Sequence, residues 1–286
     1  MSSTIKEALR RASFCLKQAG YGNHSGEAEA LLIASLGVTR AWLYAHGEEK
    51  PEAAELRHYF AWVARRIAGE PYAYLVGEKE FMSLSFLVTP VVLIPRPETE
   101  LLVETAVREF AGRENLRILD VGTGSGAVAI SIAVLLPKSE VVAVDISPAV
   151  LNVATQNAAR HNVTDRVRFL AGDLYAPVSR ERFDAVVSNP PYISSTDIET
   201  LQRDVKVYEP HLALNGGPDG LDFYRRLTAE LDTLAAPPAL LLFEVGYGQA
   251  EAVADLCCAV GYKNISRLND LAGIPRIVLA KPAGKA

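Results

Sequence analysis

Ile118-Leu119-Asp120-Val121-Gly122-Thr123-Gly124-Ser125-Gly126 reads as an apolar strand that ends in a carboxylate and runs through a glycine-rich turn into a helix. Glycine at alternate positions lets the backbone turn sharply and lets a ligand approach with no Cβ in the way. A tight strand-to-helix turn without a ligand would use the same residues. The dinucleotide fingerprint is G-x-G-x-x-G, whereas the spacing here is G-x-G-x-G behind Asp120, which favours a nucleoside without a pyrophosphate.

Outward from this turn, short apolar strands alternate with helical stretches. The candidate strands are Arg117–Val121, Glu140–Asp145, Arg166–Leu170, Phe183–Ser188, Ala239–Val245, Lys263–Arg267 and Arg276–Ala280, with a helix expected over Glu98–Phe110 before them. Such alternation predicts an α/β fold, a mostly parallel seven-stranded sheet with helices on both faces. Ahead of it, Ile5, Ala8, Leu9, Ala12, Leu16 and Ala19 recur at helical spacing, as do Ala28, Leu31, Leu32, Ser35 and Leu36, and then Leu56, Tyr59, Phe60, Val63 and Ile67. Pro51 and Gly69 bracket the last of these helices. Tyr72–Pro95 turns to runs of Phe, Leu and Val broken at Pro90, read as a hairpin and connector. The expected organisation is a helical bundle over 1–70, a hairpin linker over 71–97 and a catalytic domain over 98–286.

Two further acids mark strand ends. Asp145 could accept from both hydroxyls of a ribose, or serve as a helix N-cap. Asp173, in Ala171-Gly172-Asp173-Leu174, could accept from an adenine amino group while Leu174 packs on the ring, or be an ordinary turn aspartate. Together with the glycine loop these acids outline one site, and the arrangement resembles the Rossmann-like class I methyltransferase fold over about Glu98 to Pro282.

Phe183-Asp184-Ala185-Val186-Val187-Ser188 leads into Asn189-Pro190-Pro191-Tyr192. The two prolines fix φ and remove two donors, so the turn presents carbonyls and one Asn side chain in a stiff arrangement. An amide or heteroaromatic amine nitrogen is planar and a poor nucleophile. The Asn189 side-chain oxygen and the Pro190 carbonyl could hold its two N–H groups while Tyr192 stacks on the flat group. Transfer would then rest on alignment and polarisation rather than on a strong base. A stiff exit loop is the bland alternative. The N-P-P-Y string resembles the motif of amino-group methyltransferases acting on adenine, guanine or glutamine.

Of the 286 residues 49% are hydrophobic and the formal charge is −5. An acidic balance argues against a broad nucleic-acid surface, which needs clustered Lys and Arg. The longest apolar stretches, Ala127 to Leu136 and Ala239 to Phe243, fall short of the roughly 20 residues of a membrane span. Cys15, Cys257 and Cys258 have no metal-ligand spacing and suit a reducing, cytoplasmic setting.

Further strings extend the likeness: Ile94-Pro95-Arg96-Pro97-Glu98-Thr99-Glu100, Tyr208-Glu209-Pro210-His211, and Gly216-Gly217-Pro218-Asp219-Gly220-Leu221-Asp222-Phe223-Tyr224. With Asn189-Pro190-Pro191-Tyr192-Ile193 they resemble the protein-(glutamine-N5) methyltransferases that modify class I peptide chain release factors, over essentially the whole chain. The resemblance implies that Gly122, Thr123, Gly124, Ser125, Gly126, Asp145, Leu174 and Asn189 bind S-adenosylmethionine, leaving S-adenosylhomocysteine, and Asp173, read from its strand end, joins this cofactor set. It implies that Asn189, Pro190, Pro191 and Tyr192 bind the glutamine of a Gly-Gly-Gln loop, with Asn189, Pro190 and Tyr192 at the chemistry. The helical N-terminal part would help dock the release factor in translation termination, and the protein would act as a monomer in the cytoplasm without metal or direct nucleic-acid contact. Read from the residues alone, Arg96, Glu98 and Glu100 could instead pair at a helix start, and His211 is a loop or packing histidine. Pro275-Arg276 departs from the family's acidic residue before this arginine. An exocyclic amino group of adenine or guanine is the alternative target, and a non-enzymatic cofactor-binding scaffold is a third reading.

Overall fold

The computed structural model describes residues 3–282. Its first compact unit runs to Gly77 and takes in Arg203–Tyr208. Helices α1 (Ile5–Gln18), α2 (His24–Leu36), α3 (Arg40–Ala45), α4 (Ala53–Ile67) and α5 (Tyr72–Val76) build it. Thr4 starts α1 because its hydroxyl accepts from Glu7 N at 3.2 Å while the Glu7 carboxylate accepts from Thr4 N at 3.0 Å. The inward stripe Ile5, Ala8, Ala12 and Leu16 then packs with Leu31, Leu32 and Tyr59 in one apolar cluster, each large aliphatic side chain contributing about 1.5–3 kcal/mol. Tyr72–Val76, read as the start of a β-rich connector, is helical because Pro71 opens the turn and Gly77, with φ of 82°, ends it.

The second unit comprises Glu78–Gln202 and the described chain from Glu209. It opens with the hairpin β1 (Glu78–Phe81) and β2 (Leu84–Leu87), a 3-10 turn at Pro97–Thr99 and α6 (Glu100–Glu109). The helix expected from Glu98 thus begins in a tighter turn: with Pro97 unable to donate, Thr99 N donates to Arg96 O at 3.1 Å. That winding turns Thr99 inward, where it is buried.

Then follow β3 (Leu116–Val121), α7 (Ala127–Leu135), β4 (Ser139–Asp145), α8 (Pro148–Arg160), β5 (Val167–Ala171), β6 (Ala185–Ser188), α9 (Arg203–Tyr208, packed with the first unit), α10 (Asp222–Ala229), β7 (Leu240–Glu244), α11 (Ala250–Ala259), β8 (Tyr262–Asn269) and β9 (Pro275–Pro282). All seven expected strands are present with ends displaced by up to two residues. The sheet order is β5-β4-β3-β6-β7-β9-β8, parallel from β5 through β7 and antiparallel at β9 and β8. Apolar side chains cover both faces: Ile118, Ala143 and Val187 lie in one cluster, and Leu119, Val142 and Val186 in the other. The strand order reverses between β3 and β6, which leaves a crevice beyond their carboxyl ends.

Candidate active site

That crevice is a cavity of about 360 Å³, within the size range of small-molecule sites. Parallel register sets its two halves side by side, because Val121 pairs with Ser188 and the Ser188 hydroxyl donates to Val121 O at 2.7 Å. The glycine loop leaves one strand at this level and the Asn189 turn leaves the other.

Within the loop, Gly122 N and Thr123 N both donate to Val144 O, at 2.8 and 3.0 Å. Gly122, Thr123, Gly124 and Ser125 line the cavity, whereas Gly126 does not. Gly126 instead heads α7 with φ of 81°, and a Cβ there would stand 2.8 Å from Ile130 Cδ1. At Gly122 and Gly124 a Cβ would meet nothing within 4 Å, so the space that glycine leaves open belongs to the cavity.

Asp145 ends β4 at the cavity wall and accepts from Gly124 N and Ser147 N, both at 3.1 Å. Burial raises its carboxyl above the ordinary range, against the opposing pull of those N–H groups. Asp145 does not cap α8; Ser147 does, with its hydroxyl accepting from Val150 N. Asp173 also lines the cavity, half exposed and held by Arg226 at 2.8 Å. Leu174 follows it in the left-handed region, φ 44°, with its side chain buried. Beneath the loop, Asp120 is buried and accepts from the Thr123 hydroxyl at 2.6 Å. Burial pushes its carboxyl up to about 7, a feature invisible in the sequence.

Asn189, Pro190 and Pro191 line the same cavity. The Asn189 amide nitrogen donates to the Thr99 hydroxyl at 3.0 Å, which leaves its carbonyl oxygen as the free acceptor. Tyr192 is not among the lining residues. Its half-buried ring packs on the apolar cluster under the loop, and its hydroxyl points to Glu244 at 3.5 Å.

The strings that surround the turn brace it. Arg96 and Glu209 form an ion pair at 2.5 Å, and buried Glu209 also accepts from Ile94 N at 3.2 Å. The expected local pairing of Arg96 with Glu98 and Glu100 is therefore replaced by a contact spanning 113 residues, while Glu100 accepts from Met82 N at 2.6 Å. A Cβ on Gly216 would come within 2.7 Å of Pro191 O, and one on Gly220 within 2.3 Å of Tyr192 O. Gln249 completes the brace by donating to Tyr192 O at 2.9 Å. His211 is exposed in a 3-10 turn. Arg276, behind the unusual Pro275, finds its acid at Asp270, 3.1 Å away. Thr99, Glu244 and Gln249 are the site residues that sequence reading passed over; only the Ile94–Glu100 string hinted at the first.

Two family models match the chain: PrmC N-terminal domain over residues 7–77 and Methyltransferase small domain over residues 97–217. The release factor glutamine methyltransferase of Moorella thermoacetica is 45% identical over 97% of this chain and 98% of its own length. That of Geobacter sulfurreducens is 41% identical over 96% and 95%, and that of Bordetella pertussis 46% over 88% and 92%. Among solved structures, the hMettl16 catalytic domain in complex with MAT2A 3′UTR hairpin 6 superposes with a TM-score of 0.57 at 14% identity, covering 82% of this chain and 84% of that one. A methyltransferase from Pyrococcus furiosus gives 0.50 at 18%, covering 78% and 96%. These two likenesses concern the fold.

Proposed function

The chain belongs to the release factor glutamine methyltransferase family, and from that premise we propose that it methylates the side-chain amide nitrogen (N5) of the glutamine in the Gly-Gly-Gln loop of class I peptide chain release factors. S-adenosylmethionine supplies a methyl group on a sulfonium sulfur and leaves as S-adenosylhomocysteine. The residues present suit it. Gly122 to Ser125 offer backbone with no Cβ obstruction at Gly122 and Gly124, with Gly126 setting the helix behind them. Asp145 would take the ribose hydroxyls, Asp173 and Leu174 the adenine, and Asn189 would lie between cofactor and substrate.

The observation that carries the reading is the direction of the Asn189 amide. Its nitrogen is engaged by Thr99, which leaves its oxygen to accept at the cavity wall that Pro190 also lines, and the Pro190 carbonyl would be the second acceptor. Two acceptors suit the two N–H groups of a primary amide and hold its nitrogen in line for displacement. Tyr192, packed under the loop rather than in the cavity lining, would support the turn that holds the flat amide. The first unit would help dock the release factor. The same reading sets the protein in the cytoplasm as a monomer without direct nucleic-acid contact, consistent with its free thiols and acidic charge.

Radiolabelled S-adenosylmethionine, offered with a release factor or with duplex DNA and structured RNA, tests this. Label on the factor's glutamine is expected, and label confined to nucleic acid would refute it in favour of an adenine or guanine amino group. Asn189→Ala should reduce transfer by at least about a hundredfold, the scale of losing one preorganised polar contact to the reacting group, while S-adenosylmethionine still binds. Full activity in that variant would remove the assigned role.

A further inference from the structure

Glu244 ends β7 next to the strand that ends at Ser188. Ser188 pairs with Phe243, so Asn189, the first residue beyond β6, stands beside Glu244, the last residue of β7, which is still paired with Ile277 of β9. The Glu244 side chain is 1% exposed. One carboxylate oxygen faces the Tyr192 hydroxyl at 3.5 Å, and the other is buried without a hydrogen-bond partner among the described residues. Thr99, whose hydroxyl accepts from the Asn189 amide, is also buried beside this carboxylate and holds its titration down, so its own proton and the unpartnered oxygen are complementary. A buried carboxyl in so apolar a setting is expensive to keep. Phe243 and Val245 beside it fill their places with hydrocarbon.

We propose that Glu244 is a positioning residue for the methyl transfer: its carboxylate draws the hydroxyl protons of Thr99 and Tyr192 toward itself, which fixes the Asn189 amide with its oxygen toward the substrate. The inference rests on the functional reading above and deepens it. Donor direction decides which way the amide faces. An ionised carboxylate only accepts, and a threonine hydroxyl has one proton to give. With that proton directed to Glu244, the Thr99 oxygen can only accept from Asn189, so the amide must present NH₂ to Thr99 and oxygen to the cavity. A protonated Glu244 can donate to Thr99 instead. The Thr99 proton is then released to the Asn189 oxygen, and the amide can turn over, losing an acceptor the substrate needs. The negative charge behind the turn would also favour the positive charge that develops on a nitrogen held by Asn189 as it is alkylated.

Burial pushes the Glu244 carboxyl up to about 7, opposed by the Thr99 hydroxyl and Arg276. The charged and titratable groups around it are Glu98 from the 3-10 turn, Tyr192 from the loop and Arg276 from β9. Tyr224 from α10 donates to the Glu244 backbone carbonyl at 2.6 Å. Activity should therefore rise with pH through the neutral range. Asp120, pushed up to about 7 beneath the glycine loop, is the rival source of such a limb.

The test uses the full chain, a release factor and saturating S-adenosylmethionine, with kcat followed from about pH 5.5 to about 8.5. Glu244→Gln keeps the shape but fixes one oxygen as acceptor and one nitrogen as donor. It should lower the plateau kcat about tenfold, the scale of a hydrogen bond to a charged group, and abolish the neutral limb. KM for S-adenosylmethionine should stay unchanged. A merely structural Glu244 would alter Tm and leave the limb, so a variant that keeps the wild-type kcat or the limb overturns the proposal. Should Glu244→Gln fail to fold, Thr99→Val and Thr99→Ser decide: Val should lose about tenfold in kcat and Ser should restore it, whereas equal activities overturn the inference. A wild type that leaves the factor unlabelled overturns the functional reading itself, and this one with it.

Discussion

Gly124 and Gly126 sit two residues apart in one loop, both in the left-handed region at φ 56° and 81°, yet alanine at the two positions should fail in opposite ways. The left-handed conformation disfavours alanine by roughly 1–2 kcal/mol, partly offset by about 0.4–1 kcal/mol from the stiffer unfolded chain. At position 124 nothing lies within 4 Å of the new Cβ, so Gly124→Ala should lose only about 1 kcal/mol of stability. At position 126 the Cβ stands 2.8 Å from Ile130 Cδ1 and 3.2 Å from Ala154 Cβ. The isoleucine tip can swing aside, but Ala154 has no rotamer to change, and overpacking of this kind adds about 1–3 kcal/mol. Gly126→Ala should therefore lose about 2–4 kcal/mol, or a Tm fall of about 10 °C against about 3 °C for Gly124→Ala. Binding should show the reverse order. The Gly124→Ala methyl enters the cavity and should weaken S-adenosylmethionine at least about tenfold, or ~1.4 kcal/mol. Gly126→Ala, facing the helix, should stay within about threefold once folded. Thermal melts and isothermal titration calorimetry read the two axes. The assignment of one glycine to the ligand and one to packing is refuted if Gly124→Ala is the less stable protein or Gly126→Ala the weaker binder.

Two further outcomes concern the support of the site. Buried Asn157 accepts from Leu87 N at 2.7 Å and donates to Leu87 O and Ser125 O at 3.0 and 2.9 Å, tying the hairpin to the glycine loop. Asn157→Ala should lose about 2–4 kcal/mol, because it leaves buried backbone groups unpaired, and the Leu87 amide should lose hydrogen-exchange protection. Asp120 titrates at about 7 in the folded chain against 3.8 unfolded. The folded state then holds the extra proton, so stability should fall as pH rises from about 4 to about 7 and level off above. Glu244 acts with the same sign, so Asp120→Asn should flatten this slope in urea denaturation without abolishing it. A slope unchanged by the substitution would remove Asp120 from the account.

Periodicity and strand-end chemistry made the sheet, the glycine loop and the Asn189 turn readable, because each is written in consecutive residues. Boundaries were less readable where tertiary packing decides them. Tyr72–Val76 carries strand-favouring residues yet folds as helix between Pro71 and Gly77, and the turn at Pro97–Thr99 winds tighter than the helical pattern alone implies. The support of the reacting loop was unreadable for a different reason. Thr99 meets Asn189 across 90 residues, and Tyr192 meets Glu244 across 52; no local spacing encodes either meeting. In sequence, Glu244 is one acid at the end of an apolar strand, where exposure to solvent is the default expectation. The register of β7 against both β6 and β9 buries it.

That register also explains why N-P-P-Y alone is silent about its target. The turn itself supplies acceptors and stiffness, while the direction of its amide, the depth of its tyrosine and its seat on Gly216 and Gly220 come from three other segments, around Thr99, Gly216 to Gly220, and Glu244 to Gln249. A chain could keep those four residues and change the segments beneath them, and the same string would then hold a different nitrogen or hold it at a different angle. The four residues therefore do not set the geometry of their turn alone; distant strings such as Arg96 with Glu209 share in bracing it, and their spacing means nothing until the sheet brings them together.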